Sequence, residues 1–340
     1  METTKELLEL PTREKAPASS FKRTMTLFKK TWDDLYSLKG LIITVIIMAI
    51  IPILITGIGL LNSNLDEFPP YAAGMTIVFN FLPFYYLISL GIIYGIVIGT
   101  KSSGLICEEI EAGTMLILVS KPIGRIQIFL GKFLAAFVYM ALIAFVAIFS
   151  TGWILILMIT GNIEHFFAIV PVLLLLVLFS QFINAIFLSI SMALSSIMKK
   201  GKKVSMMMIV IILFTFLGFF LIKIQFGGVY DTYNLYVFDI SYHLGNVFIF
   251  FNSLLGNPLP MAVNWQTTFT MFTGVFDAPG FLELLMGQGT TVDSAQGLDL
   301  GGFDLKGYFT PVQSFLIWLG IAALLVFFGL LKLKKREISN

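Results

Sequence analysis

The sequence predicts an all-α membrane protein with six transmembrane helices, an N-terminal amphipathic surface helix and a large structured extracellular loop between helices 5 and 6. Three observations carry this. Of 340 residues, 57% are hydrophobic and only 12% charged, whereas soluble domains carry about 25% charged residues. Six segments, about 41–61, 76–99, 133–160, 167–197, 204–222 and 311–331, contain no Asp, Glu, Lys, Arg or His. Each has about the 20 apolar residues that cross a bilayer core of roughly 30 Å. Finally, 20 of the 22 Lys and Arg fall in 1–40, 100–132, 199–203 and 332–340, while 62–75 and 161–166 have none and 223–310 has two. Basic residues in short flanks stay cytoplasmic. Both termini, 100–132 and KKGKK (199–203) are therefore expected in the cytosol, in a multi-pass protein of the cell membrane.

In chain order, residues 1–39 are polar and charged, so no cleaved signal is expected. Within them, 20–39 interleave basic residues with Phe21, Met25, Phe28, Trp32 and Leu35. That three-to-four spacing marks an amphipathic helix, lying either in the cytoplasmic headgroup layer or as a solvated lead-in to the first span. The fourth segment is long enough to tilt or to protrude from the bilayer. Small residues in segments three and four, among them Ala135, Ala136, Ala144, Ser189, Ser191 and Ala193, read as close helix-packing faces. The 223–310 stretch is too long for an ordinary loop. Its apolar middle, 242–256, reads as a re-entrant or interfacial helix and 269–286 as a second piece pairing with it. A small extracellular cap is the other reading. The lone Cys107 makes no intrachain disulfide.

The connection between spans two and three, CEEIEAGTMLILVSKPIGRIQIFLGK (107–132), is the most polar stretch near the membrane. Read as a helix, it puts Ile106, Ile110, Gly113 and Ile117 on one face and Glu108 and Glu111 opposite, with Glu109 on the flank. Pro122 ends that helix, Gly124 allows a turn, and a second amphipathic piece runs from Arg125 to Lys132. Such a hairpin suits docking to a soluble partner. It is equally consistent with a solvated hairpin held by weak surface pairs.

The run Glu109-Ile-Glu111-Ala-Gly113-Thr114, followed by Leu116, Ser120-Lys-Pro122, Arg125 and Gly131-Lys132, resembles the cytoplasmic signature of permease subunits of the type-2 ATP-binding cassette exporter family. The likeness in particular residues covers about 109–132, and the likeness in topology covers the whole chain, 1–340, read as a single permease domain. It implies two permease chains, identical or not, forming the translocation path, with a separate ATPase subunit docked on the cytosolic face. It also implies that 100–132 is the coupling loop. Glu108, Glu109, Glu111, Gly113, Thr114 and Lys121 are the candidate ATPase-facing residues, with Pro122 and Arg125 shaping the turn. The long connection between spans five and six departs from the short hairpin of the family.

Other chemistry is excluded on the residues. A P-loop needs G-x-x-x-x-G-K-[ST]; the nearest match, Gly124 to Gly131-Lys132-Phe133, has the wrong spacing and ends in Phe. ATP is thus expected on the partner, and the chain itself has no cofactor, no metal and no catalytic role. An intramembrane protease of the Glu-Glu-x-x-x-Arg type would need Arg where Gly113 stands. His165 and His243 could meet Glu164 or Asp239, but no HxxH spacing supports a metal site. Charge-free spans argue against proton or ion coupling. The expected function is an ATP-driven exporter permease in contact with membrane lipid and no nucleic acid; the alternative is a membrane scaffold or channel that never meets an ATPase.

Overall fold

The computed structural model describes residues 20–61, 63–113, 124–277 and 303–335. These form α1 (Ser20–Leu35), α2 (Leu38–Leu60), α3 (Pro70–Glu111), α4 (Arg125–Ile159), α5 (Ile163–Ile197), α6 (Gly201–Gln225), α7 (Gly227–Thr232), α8 (Ile240–Leu254), α9 (Val263–Thr273) and α10 (Pro311–Lys335). Six of them, α2 to α6 and α10, are long and apolar enough to cross a membrane. Among the described residues no strand forms; Phe276 and Leu305 make one isolated antiparallel bridge.

α5 is the hub, packing against α3, α4, α8 and α10. Its buried side chains are mostly large and apolar, with Ser180, Ser189, Ser191 and Ser195 buried among them. Three spans are longer than the bilayer requires. α3 has 42 residues and α4 and α5 have 35 each, about 63 and 52 Å at the rise of an α-helix. Their tips therefore project beyond a core of roughly 30 Å. Of the helical hairpin expected in 100–132, the described parts are the ends of the second and third spans; 114–123 lie outside the described residues.

α3 is not uniform. Pro83 removes one backbone donor, and the next nine residues, Tyr85–Ile93, widen into a π-helix, the local adjustment that a proline inside a helix invites. Further on the helix breaks at Ser103. There Ser195 Oγ of α5 accepts from the amides of Ile106 and Cys107 at 3.3 and 3.2 Å and donates to Ser103 O at 2.8 Å. A side chain inserted into the backbone ladder is a recognised cause of a kink.

α1 also differs from expectation. Leu27, Thr31 and Leu35 are buried on α4, while Phe21 and Met25 stay exposed. The anchor is Gly131, where an added Cβ would stand 3.0 Å from Leu27 Cβ and 3.1 Å from Thr24 O. Only a glycine lets the two backbones approach this closely.

The opposite end of the bundle is built from 223–277 and 303–314. The expected helix at 242–256 is present two residues earlier, as α8, capped by Asp239 Oδ1 accepting from Ser241 N at 2.9 Å. The expected second piece, 269–286, overlaps α9 at 269–273; α9 stops at Thr273, where Gly274 turns left-handed at φ +73°, and 278–286 lie outside the described residues. Residues 278–302, with most of the Gly- and Asp-rich run, lie outside the described residues. α8 is buried along nearly its whole length against α10 and α5, which favours a helix packed into the bundle over a separate cap. A buried ion pair holds it: Lys223 Nζ lies 2.9 Å from Asp239 Oδ2 and donates to Phe272 O at 2.8 Å, while Tyr230 OH donates to the same Oδ2 at 2.9 Å. Burial lowers the pKa of His243, whose ring nitrogens face Ser314 Oγ and Val237 O. Both ring nitrogens of His243 are thus taken by protein groups.

Removing one member of such a pair strands a buried charge, at a cost of about 3–5 kcal/mol, whereas replacing both is close to neutral. Lys223→Met is accordingly expected to lower the melting temperature of the detergent-solubilised protein. Lys223→Met with Asp239→Asn should recover most of the loss, and differential scanning fluorimetry would read both.

Candidate functional site

The basic end of the bundle gathers the tips of α3, α4, α6 and α10 with the middle of α1. Ile106 and Cys107 in the last turns of α3 are buried, and Glu108 and Glu111 are exposed. Glu109 behaves differently. Its carboxylate turns inward, with a side chain 20% exposed, and Oε2 lies 2.5 Å from Lys132 Nζ. Lys30 Nζ of α1 stands 3.9 Å from the other oxygen.

Lys132 explains this geometry. It lies two turns into α4 with its side chain 4% exposed, and an unpaired ammonium cannot be buried cheaply. Two partners come from α3: the Glu109 carboxylate, and the carbonyl of Leu105, to which Nζ donates. The two spans are thus cross-tied at their base, and Lys30 brings α1 to the same carboxylate. A neighbouring cavity of about 360 Å3 is lined by Thr31, Asp34, Thr100, Lys101, Glu108 and Lys132, among others.

Glu108 makes the second tie. Its carboxylate packs against Gly201, so closely that a Cβ there would collide with it. Gly201 opens α6, and the partial positive charge of a helix N-terminus favours a carboxylate. Arg125 makes the third. Its Nη1 donates to Leu333 O at 3.0 Å and Lys334 O at 2.9 Å, in the last described turn of α10. Arg125 therefore does more than shape a turn; it joins the third span to the sixth. Next to it, Gln127 Oε1 accepts from Gly124 N at 3.1 Å and caps α4.

Gly113 does not lie on a helix face with Ile106 and Ile110. α3 ends at Glu111, and Gly113 takes φ +70° just beyond, where glycine is the residue that accepts a left-handed conformation without strain. Thr114, Lys121 and Pro122 lie outside the described residues, as does Ile117.

The structure therefore brings Glu108, Glu109 and Arg125 into contacts within the bundle and leaves Glu111 exposed at the tip of α3. Sequence reasoning treated Lys132 only as the start of a span. The available signal was a lone lysine ahead of an uninterrupted apolar run, which needs a counter-charge. Ser195 was missed altogether, because nothing local distinguishes it from the other small residues of α5. Chemically the site holds no nucleophile poised beside a base among the described residues. What it can do is transmit force: four helix tips and α1 are tied to one another around a short connection, 112–124.

A family model described as ABC-2 family transporter protein matches residues 25–337. Comparison with curated proteins finds no match.

The buried thiol of Cys107, the only cysteine of the chain, reports on this end of α3. Glu109→Gln removes the charge that holds Lys132. Hydrogen bonds to charged groups are worth about 1.5–3 kcal/mol, so local opening should increase roughly tenfold or more. Maleimide labelling of Cys107 in membranes is expected to accelerate accordingly in Glu109→Gln, and to remain at the wild-type rate in Glu111→Gln.

Proposed function

Because the chain belongs to the ABC-2 transporter family and is thus a membrane permease subunit, we propose that it forms the translocation path of an ATP-driven exporter as a dimer, coupled to a separate ATPase through the connection between α3 and α4. Both termini face the cytosol in this reading, which the placement of 20 of 22 basic residues supports. The ATPase acts in trans, since the chain carries no P-loop sequence.

The observation that supports coupling most is the cross-tied base. Glu109–Lys132 unites spans two and three, Ser195 clamps span four to the break in span two, Glu108 engages span five, and Arg125 engages span six. A push on 112–124 then reaches the three further spans through contacts made at the tips of spans two and three. Closure of the ATPase pair supplies that push, and the permease shifts between inward and outward states. The exposed Glu111 and the left-handed Gly113 are the surface that meets the ATPase. Glu109 acts behind them as a positioning residue.

The test is affinity purification of the tagged chain from its native membranes in mild detergent, with Glu111→Lys in parallel. A near-stoichiometric ATPase carrying a Walker motif is expected with the wild type and in several-fold lower yield with the variant. Recovery of the chain alone, under conditions that preserve other membrane complexes, would turn the reading to a scaffold or channel.

A further inference from the structure

α1 and α4 leave an open groove of about 580 Å3 between them, lined chiefly by Met25, Phe28, Trp32 and Val138, with Lys22 and Lys29 on the α1 side. Its wall is aromatic. Phe28, Trp32 and Tyr36 stack at successive turns of α1, 6.2 and 6.0 Å apart, and Tyr139 meets Trp32 edge-on at 5.9 Å. Phe21 and Met25 beside it are 74% and 50% exposed. The occupant of this groove must therefore have an extended apolar part.

It must also be anionic at one end. Lys22 and Lys29 are seven residues apart, about two turns and 10 Å along the helix, so they lie on one face. With Arg23 and Lys30 they make up the basic stretch 22–30 of α1. The acids Asp33 and Asp34 come only after them, and Asp34 lines the separate cavity beside Lys132. Depth agrees with charge. Val138 is six residues beyond Lys132, about 9 Å further along α4, in the part of that helix free of charge. The groove thus runs from the polar end of the bundle into its apolar span.

We propose that this groove is a binding site for an anionic phospholipid, with an acyl chain along Phe28, Trp32 and Val138 and the phosphate group between Lys22 and Lys29. A zwitterionic lipid offers the same chain, but its amine offsets the phosphate charge and so forgoes the attraction of the lysines. The site is independent of the ATPase reading, since no part of it lies on 112–124. Its consequence for that reading is that lipid headgroup charge fixes α1, and through Lys30 bears on Glu109.

The test uses the full chain purified in detergent, titrated with phosphatidylglycerol or phosphatidylcholine of identical acyl chains and read by native mass spectrometry. A lysine near an anionic surface contributes somewhat less than a tenfold preference, so the pair should retain phosphatidylglycerol about tenfold over phosphatidylcholine. Lys22→Gln with Lys29→Gln should remove the preference while leaving chain binding, and Val138→Trp, which fills the groove from α4, should lower the retention of both lipids. Melting curves of each variant check that the fold is intact. Equal retention of the two lipids by the wild type would overturn the proposal. So would a preference unchanged in the double lysine variant, or retention of both lipids unaffected by Val138→Trp.

Discussion

Lys132 is committed to a buried position by the helix that carries it, and the basic end of the molecule is arranged around that commitment. A charge in the second turn of a long apolar helix has to be met by an acid and a carbonyl, and α3 supplies both, one turn apart, as Glu109 and Leu105. Once they meet, the tip of the second span is fixed against the base of the third. Glu108 is then directed at the start of α6 and Glu111 away from the bundle. Only glycine at 131 lets α1 approach closely enough for Lys30 to share the same carboxylate. Burying such a pair is no guarantee of stability; its effect here is to specify one relation between helix tips.

The other end follows the same logic with different residues. Lys223 ends the fifth span, Asp239 starts α8, and their pairing draws Tyr230 and the carbonyl of Phe272 into one buried network. Tyr86, in the π-helical part of the second span, donates to Ser241 O beside it at 3.1 Å. The second span therefore touches both polar ends, by Tyr86 at one and by Leu105 and Glu109 at the other. Between them it carries two irregularities, the π-helix and the break at Ser103, where a rigid rod would otherwise run. Such interruptions are where a long helix can change shape, and an element linking both ends is the natural carrier of a signal between them.

Much of the fold was legible because lipid imposes a severe rule: backbone groups must be satisfied within helices, so apolar length alone marks the spans. All six segments named from sequence fall within the six membrane-length helices to within one residue. What composition could not give was where those helices stop. α3 runs on through polar residues to Glu111, because Ser195 and Lys132 provide partners for its backbone and side chains, and those partners are 88 and 23 residues distant in the chain. The same holds for α1: periodicity found a helix, but the stripe that packs is set by the glycine at 131. At the candidate site, charge pattern located the acids. It did not separate Glu109, turned inward, from Glu111, turned out, because that difference depends on a lysine on another helix.

In the proposed mechanism, motion enters the permease at the connection beyond Glu111. The most direct measurement places a photo-crosslinking amino acid at Ala112, the exposed residue between Glu111 and the left-handed Gly113, and irradiates native membranes. A crosslinked product containing this chain and an ATPase with a Walker motif is expected, weakened when Glu111 is reversed to Lys. Crosslinks from Ala112 to lipid or to the chain itself alone, in membranes where that ATPase is present, would contradict it.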